Sequence, residues 1–304
     1  MRAVQITTYG GPEVLSVNDA PAPVAGPGQL LVKVAAAGVN PVDWKIREGY
    51  MKEAFPLSFP ATLGNEIAGT VAAIGDGVEG FAVGDAVHGS TGPVSGFADL
   101  VAINAASVAR KPEGMSMVEA AALPVAVATS MPTLDAGGVG AGTRVLVHAA
   151  SGGVGSILVQ LARHRGAEVT GLASPDNIDF LRSLGVATVV DRTSAYEQEI
   201  GGFDVVVDAF GPQAQERSWG LLKPGGILVS IAAPPPQDVA QSRGVRATMA
   251  FGAPNGSTLA EADRLFDAGQ LKITIARTYP VERAAEALAD VQKGLPRGKV
   301  VLTF

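Results

Sequence analysis

One stretch constrains this chain more than any other: Val145-Leu146-Val147-His148-Ala149-Ala150-Ser151-Gly152-Gly153-Val154-Gly155-Ser156. An apolar run ends in small residues, and apolar residues at helical spacing follow over 154–165. That order predicts a buried strand, a tight turn and a helix. A turn without bulky side chains lets a pyrophosphate reach bare backbone. The first helical turn then offers it unpaired N–H groups and the positive end of the helix dipole. Gly152 permits the close approach, and Gly155 lets the helix pack on the strand. Ala150 stands at the first glycine position of G-x-G-x-x-G, so the flanking strand and helix carry the reading rather than the glycines alone. Ser151, Gly152, Gly153, Val154 and Gly155 are the resulting dinucleotide-binding candidates.

The residues after the turn repeat its logic. Strands are expected at 144–149, 168–172, 188–190, 204–208 and 226–231, with helices at 154–165, 175–184 and 213–221 between them. Alternating strands and helices imply right-handed crossovers and a parallel sheet. Runs such as Val205-Val206-Val207 suit a sheet covered on both faces. The first third reads differently. Short strands at 2–6, 30–36, 68–74 and 97–103 are punctuated by glycine and proline, as in an antiparallel β domain. The tail shows apolar helix faces at 259–266 and 281–291, a strand between them at 271–279, and a last strand at 299–304. The fold class is α/β: a β domain over 1–120, completed by 270–304, and a Rossmann doubly wound parallel-sheet domain over 121–269.

Composition narrows the chemistry. Cysteine is absent, which removes disulfides and every cysteine-containing zinc site. His88, His148 and His164 form no H-x-x-x-H pair, and no metal is expected. A net charge of −6 gives no basic face for nucleic acid. No run approaches the ~18 apolar residues of a membrane span. The opening residues read as a strand and not as a secretory segment, so a cytoplasmic protein is expected.

The end of the second parallel strand bears on the cofactor. NAD sites place Asp or Glu about 20 residues after the glycines, on the ribose 2′-OH. Here that place holds Ala173-Ser174-Pro175, which leaves room for a 2′-phosphate, with Arg192 after the third strand to supply charge. Asp176 argues the other way. NADPH is the expected cofactor.

Across its length the chain resembles the zinc-free quinone oxidoreductase branch of the medium-chain dehydrogenase/reductase superfamily, which includes zeta-crystallin-like proteins. The resemblance rests on Ala36-Ala37-Gly38-Val39-Asn40-Pro41-Val42-Asp43-Trp44-Lys45, Leu63-Gly64-Asn65-Glu66-Ile67-Ala68-Gly69-Thr70-Val71, Gly80-Phe81-Ala82-Val83-Gly84-Asp85, the glycine turn, Leu222-Lys223-Pro224-Gly225-Gly226 and Arg297-Gly298-Lys299-Val300-Val301. It implies a GroES-like fold for the first domain. Zinc-containing relatives carry a Cys near Asn40 and a His at the position of Asn65, and both are missing. The resemblance implies Asn40, Lys45 and Thr129 as catalytic residues near the nicotinamide. Ser174, Asn177, Arg192, Ile231, Phe251, Gly252, Arg297 and Lys299 are further cofactor candidates. Arg192 falls where many relatives carry Tyr, and Asp176 where many NADPH-dependent ones carry Lys. Trp44, Tyr50 and Asn65 are substrate candidates.

A site without zinc cannot polarise an alcohol oxygen as a Lewis acid. It can pass hydride to an acceptor that is already electrophilic, given alignment and one hydrogen-bond donor, for which the Asn40 amide is the first choice. Reduction of a quinone by NADPH is the leading expectation. The alternatives are reduction of the C=C bond of an enone or alkenal, and a non-catalytic, crystallin-like NADPH-binding protein. A homodimer is expected, with 226–231 and 245–250 as candidate edge strands across subunits. His148 is expected to be a packed strand histidine, Asp43 and Glu66 loop anchors, and Asp208 a cap.

Overall fold

The computed structural model describes residues 1–294 and 297–304. Along the chain run strands β1 (Arg2–Ile6), β2 (Leu15–Asp19) and β3 (Gln29–Val39), helix α1 (Pro41–Arg47), and strands β4 (Ala61–Thr62), β5 (Glu66–Ile74), β6 (Ala86–Ser90), β7 (Leu100–Asn104) and β8 (Val108–Arg110). Helices α2 (Met117–Ala121) and α3 (Pro124–Ala136) lead to β9 (Arg144–Val147), α4 (Gly155–His164), β10 (Glu168–Ala173), α5 (Ile178–Ser183), β11 (Thr188–Asp191) and β12 (Phe203–Asp208). Then come α6 (Pro212–Ser218), β13 (Leu222–Ser230), α7 (Gln237–Ser242), β14 (Arg246–Met249), α8 (Gly256–Asp267), β15 (Ile275–Pro280), α9 (Ala284–Gln292) and β16 (Lys299–Thr303).

The chain divides into two compact units, 1–125 with 253–267 and 273–304, and 126–252 with 268–272. The sequence pattern places 253–267 in the second domain. Two contacts hold α8 in the first unit instead. His88 of β6 bonds Asp263 of α8, Nε2 to Oδ2, at 3.0 Å. Gly256 sits so close to β8 that a Cβ there would lie 2.2 Å from the Val108 carbonyl oxygen.

In the first unit the sheet order is β15-β16-β3-β5-β6-β8, with β7 also on β3, and a small β2-β1-β4 sheet beside it. The long strand β3 alternates over its first half and is buried on both faces at its end, where Ala36, Ala37, Gly38 and Val39 meet β5 and β16. One core joins residues from β1, β3, β5, β7, α9 and β16, including Ile6, Leu30, Ile67, Leu288 and Leu302. Each such side chain contributes about 1.5–3 kcal/mol on leaving water. Sequence patterning passed over β2 and β6, which are short and carry Asn18, Asp19, His88 and Gly89 in place of an apolar run.

The second unit is a parallel sheet of order β11-β10-β9-β12-β13-β14. From β9 the chain steps outward through β10 and β11, then returns to the other side of β9 and continues through β12 to β14. Such a reversal leaves a crevice at the carboxyl ends of the two central strands, here β9 and β12. Burial of Val205–Asp208 follows from helices on both faces. The expected strand at 271–279 begins only at Ile275. The Lys272 backbone is bonded on both sides by Gln160 of α4, N–H to Oε1 at 2.8 Å and C=O from Nε2 at 3.0 Å, so it has no groups left for a ladder.

Candidate functional site

At the carboxyl end of β9 the chain reverses within 149–155. Ala149 takes a left-handed conformation (φ 49°), and its carbonyl accepts the Gly152 N–H at 2.9 Å. Gly155 packs against that same carbonyl: a Cβ there would lie 2.2 Å from the oxygen, where no side chain fits. The N–H groups of Gly153, Val154 and Gly155 donate to no protein acceptor among the described residues. They head a ten-residue helix. Free donors, a positive dipole end and a turn rich in glycine make a cradle that suits a pyrophosphate.

The other second-unit candidates stand on the carboxyl edge of the same sheet. Ser174 follows β10 directly, and Asn177 Nδ2 donates to its Oγ at 3.0 Å. Arg192 follows β11, and its N–H is bonded to Ala173 O at 2.9 Å, which brings it beside Ser174. Its guanidinium stacks 5.8 Å from the Phe210 ring, beyond the end of β12. Sequence patterning had no way to bring Phe210 to this place. Asp208 positions it: Oδ1 accepts the N–H groups of Phe210 and Gly211, each at 2.8 Å, while Oδ2 accepts Gln215 Nε2 and Ser230 Oγ. Ile231 N–H is tied to Asp208 O at 2.8 Å. Asp208 is thus a loop cap.

His148 is structural in the same sense. Ser218 Oγ gives its proton to Ala214 O and so accepts from His148 Nε2 at 2.9 Å. Burial holds the imidazole neutral, with its pKa down to about 4.

Thr129, Phe251 and Gly252 form a second group in this unit. Pro132 has no N–H to bond the carbonyl four residues back, so the Ala128 oxygen is left without its helical donor. Gly252 rests on that oxygen; a Cβ there would come within 1.4 Å of it. The 250–252 loop is thereby held beside Thr129, with the Phe251 ring 73% exposed.

The first unit holds a polar cluster of another kind. Asn40, between β3 and α1, and Asn65 and Glu66, at the start of β5, meet Lys299 at the start of β16. Lys299 Nζ donates to Asn40 Oδ1 and Glu66 Oε1, both at 2.5 Å. Asn40 Nδ2 donates to Asn65 Oδ1 at 2.9 Å and Glu66 Oε1 at 2.7 Å, and Glu66 Oε2 accepts the Val125 N–H at 2.7 Å. All four side chains are buried. Gly38 makes room: a Cβ there would lie 2.2 Å from Glu66 Oε1. Behind the cluster, Asp43 Oδ2 accepts the Asn40 N–H at 2.7 Å. Burial raises the Asp43 carboxyl to about 8, and its Oδ1 has no partner.

Three expectations change here. Both N–H bonds of the Asn40 amide are engaged, so Asn40 is not a free donor. Lys299 is 4% exposed and paired with Glu66 in the first unit, where a 2′-phosphate contact would need an accessible ammonium. Glu66 is the hub of the cluster and not only a loop anchor. Of the remaining candidates, Trp44 packs on the core and meets Tyr50 edge-on at 6.0 Å, with the Lys45 ammonium 5.9 Å from its ring. Tyr50 and Arg297 are exposed.

Known proteins share this architecture. The alcohol dehydrogenase GroES-like domain family matches residues 26–132, and the zinc-binding dehydrogenase family matches 184–302. The quinone oxidoreductase structure from Coxiella burnetii superposes with a TM-score of 0.94 at 31% identity, covering 100% of this chain and 99% of that one. The 2-methylene-furan-3-one reductase of Solanum lycopersicum is 32% identical over 99% of this chain and 79% of its own length. The chain belongs to the medium-chain dehydrogenase/reductase superfamily, and within it is quinone-oxidoreductase-like. The pikromycin polyketide synthase component PikAII of Streptomyces venezuelae is 37% identical over 94% of this chain, which spans 8% of that much longer protein. A mycobacterial structure complexed with NADPH has a TM-score of 0.89 at 28% identity, covering 100% of both chains.

The resemblance puts the metal of zinc-containing superfamily members at Asn40 and Asn65, and the residues present there do not fit one. An ammonium and two amides fill the place, and the Asn40 and Asn65 oxygens already accept hydrogen bonds. Among the described residues no group of three or more His, Cys, Asp or Glu side chains could hold a metal ion. No described helix is long and apolar enough to cross a membrane.

Proposed function

We propose that this protein transfers hydride from NADPH to a quinone without zinc. The observation that carries the reading is the cluster of Asn40, Asn65, Glu66 and Lys299, which offers a hydrogen-bonded amide where a Lewis acid would otherwise sit. Such a site suits an acceptor whose own conjugation stabilises the added charge. The bound nicotinamide supplies the hydride. The chain's residues do the rest: the free N–H groups of 153–155 hold the pyrophosphate, and Thr129, Phe251 and Gly252 line the nicotinamide. Trp44, Tyr50 and Lys45 flank the acceptor.

NADPH over NADH is supported by Ser174 at the end of β10, where an NAD site carries a carboxylate, and by Arg192 stacked on Phe210. The NADPH complex of the mycobacterial relative agrees with it. The tomato relative's name favours a second reading, reduction of the C=C bond of a conjugated ketone. We further propose a homodimer paired through β14, an edge strand of the six-stranded sheet, and a cytoplasmic location; the other expected edge strand, 226–231, falls on β13 between β12 and β14 and has no free edge. Steady-state oxidation of NADPH with small quinones, with product analysis on an enone, tests the function. NADPH that binds tightly but is turned over by no acceptor would leave a cofactor-binding protein in its place. Light scattering tests the dimer.

A further inference from the structure

We infer that Asn65, and not Asn40, donates the hydrogen bond to the acceptor's carbonyl oxygen, and that Lys299 aims it through Asn40. The inference rests on the reductase reading above and names its donor.

The argument is one of donor and acceptor capacity. An ammonium can only donate. Lys299 Nζ therefore fixes which end of the Asn40 amide faces it: the oxygen. Asn40 must then turn its NH2 the other way, and both N–H bonds find acceptors, Asn65 Oδ1 and Glu66 Oε1. The Asn65 oxygen is occupied in turn, so its NH2 must face away from Asn40. That nitrogen donates to no protein atom among the described residues. It is not sealed in either, since among the described residues the buried side-chain atoms without a partner are Asp43 Oδ1, Trp44 Nε1, Arg47 Nη1, Ser130 Oγ and Asp263 Oδ1. Asn65 keeps 6% of its surface exposed, against 3% for Asn40. Its backbone is clamped as well, its carbonyl accepting both Ser90 Oγ at 2.7 Å and the Thr91 N–H at 3.1 Å. One amide with two free N–H bonds is thus held in a single orientation by a charge two side chains away.

A quinone or enone carbonyl develops negative charge as it gains hydride, and a proton from water completes the reduced product. A fixed donor at that oxygen stabilises the charge without reorganisation. The relay also polarises each amide in turn, since every hydrogen bond in the chain runs from the ammonium outward.

Two experiments test this on the full chain. In turnover, Asn65→Ala is expected to lower kcat for a small quinone about 10²-fold, the scale of one such donor, with NADPH affinity by fluorescence titration unchanged. Asn65→Asp keeps the size and loses the donor at neutral pH, so its activity should rise as pH falls and the carboxyl protonates. Asn40→Asp accepts from Lys299 and from Asn65 Nδ2, which turns Asn65 round; it should lose as much kcat as Asn65→Ala although Asn65 is intact. The second experiment needs no turnover. The side-chain amide NMR signals of the cofactor-free protein are followed as quinone is added, and the Asn65 pair should shift while the Asn40 pair stays. Wild-type kcat in Asn65→Ala, or a shift confined to Asn40, overturns the inference. Wild-type protein that oxidises no NADPH with any acceptor overturns the reductase reading instead, and the NMR result still reports which amide meets the carbonyl.

Discussion

The glycine turn of the second unit and the amide cluster of the first present hydrogen-bond donors by opposite means. At 149–155 the donors are backbone N–H groups left over by the geometry of a helix start, and the residues that matter are those that add nothing. Gly155 works because a Cβ would strike Ala149 O at 2.2 Å. In the cluster the donors are side chains, the four residues come from three separated stretches, and each donor is defined by what the next accepts. Remove a residue from the turn and the backbone still has its amides; remove one from the cluster and its neighbours are left buried with unmet charge or hydrogen bonds. The difference teaches where each half is fragile: the turn to added bulk, the cluster to lost partners.

Variants can break that contrast. The largest effect is expected from Lys299→Met, which strands the Glu66 carboxylate in the interior. A loss of about 3–5 kcal/mol in denaturant unfolding is expected for a broken buried pair. Lys299→Met with Glu66→Gln should recover part of it, and additive losses in that double variant would show the pair to be uncoupled. Gly155→Ala comes next. Overpacking against Ala149 should cost about 1–3 kcal/mol and abolish measurable NADPH binding, whereas unchanged binding by titration would remove the turn as the pyrophosphate site.

Arg192→Ala sharpens the cofactor side. NADPH affinity should fall roughly 10- to 100-fold, the scale of a lost hydrogen bond to a charged group, while NADH affinity stays level; equal losses for both would assign Arg192 no part in reading the phosphate. Asp43 gives a pH signature. Its carboxyl is raised from 3.8 to about 8 by burial, so the folded chain holds a proton that the unfolded chain releases. Stability from this group is complete below about pH 4 and declines as pH rises towards 8. Asp43→Asn keeps the acceptor for the Asn40 N–H and should flatten the fall in Tm over that window. The smallest effect belongs to Ala149→Gly. Relief of the left-handed conformation should stabilise the fold by about 1 kcal/mol or less, seen as a small rise in Tm with NADPH affinity intact.

Much of this could be read from residues in order. The turn, the parallel strands on either side of it and the placement of Ser174 and Arg192 at strand ends all follow from spacing, because a strand–turn–helix unit is completed within a few dozen neighbouring residues. His148 and Asp208 could be read as structural for the same reason. The harder cases have partners far away in sequence. β6 does not stand out in the sequence although it carries His88, because that residue finds its partners in the Ala120 carbonyl and in Asp263 of α8, both remote in sequence. The strand expected at 271–279 begins only at Ile275, because Gln160 takes up the Lys272 backbone. Phe210 meets Arg192 only after Asp208 has folded its loop.

Lys299 separates the two kinds of information most clearly. Its sequence context, Arg297-Gly298-Lys299, is that of a cationic tail strand, and charge alone suggested a phosphate. The pairing of β16 on β3, Val300 against Val39, carries the ammonium to Asn40 and Glu66. By itself the sequence determined the glycine turn between strand and helix, the α/β fold and the absence of cysteine, since each depends on which residues are present and how closely they follow one another. Only the tertiary structure decided which way the amides of Asn40 and Asn65 face. That orientation is set by a hydrogen-bond chain closed across 259 residues, and a donor has no direction until its acceptor is in place.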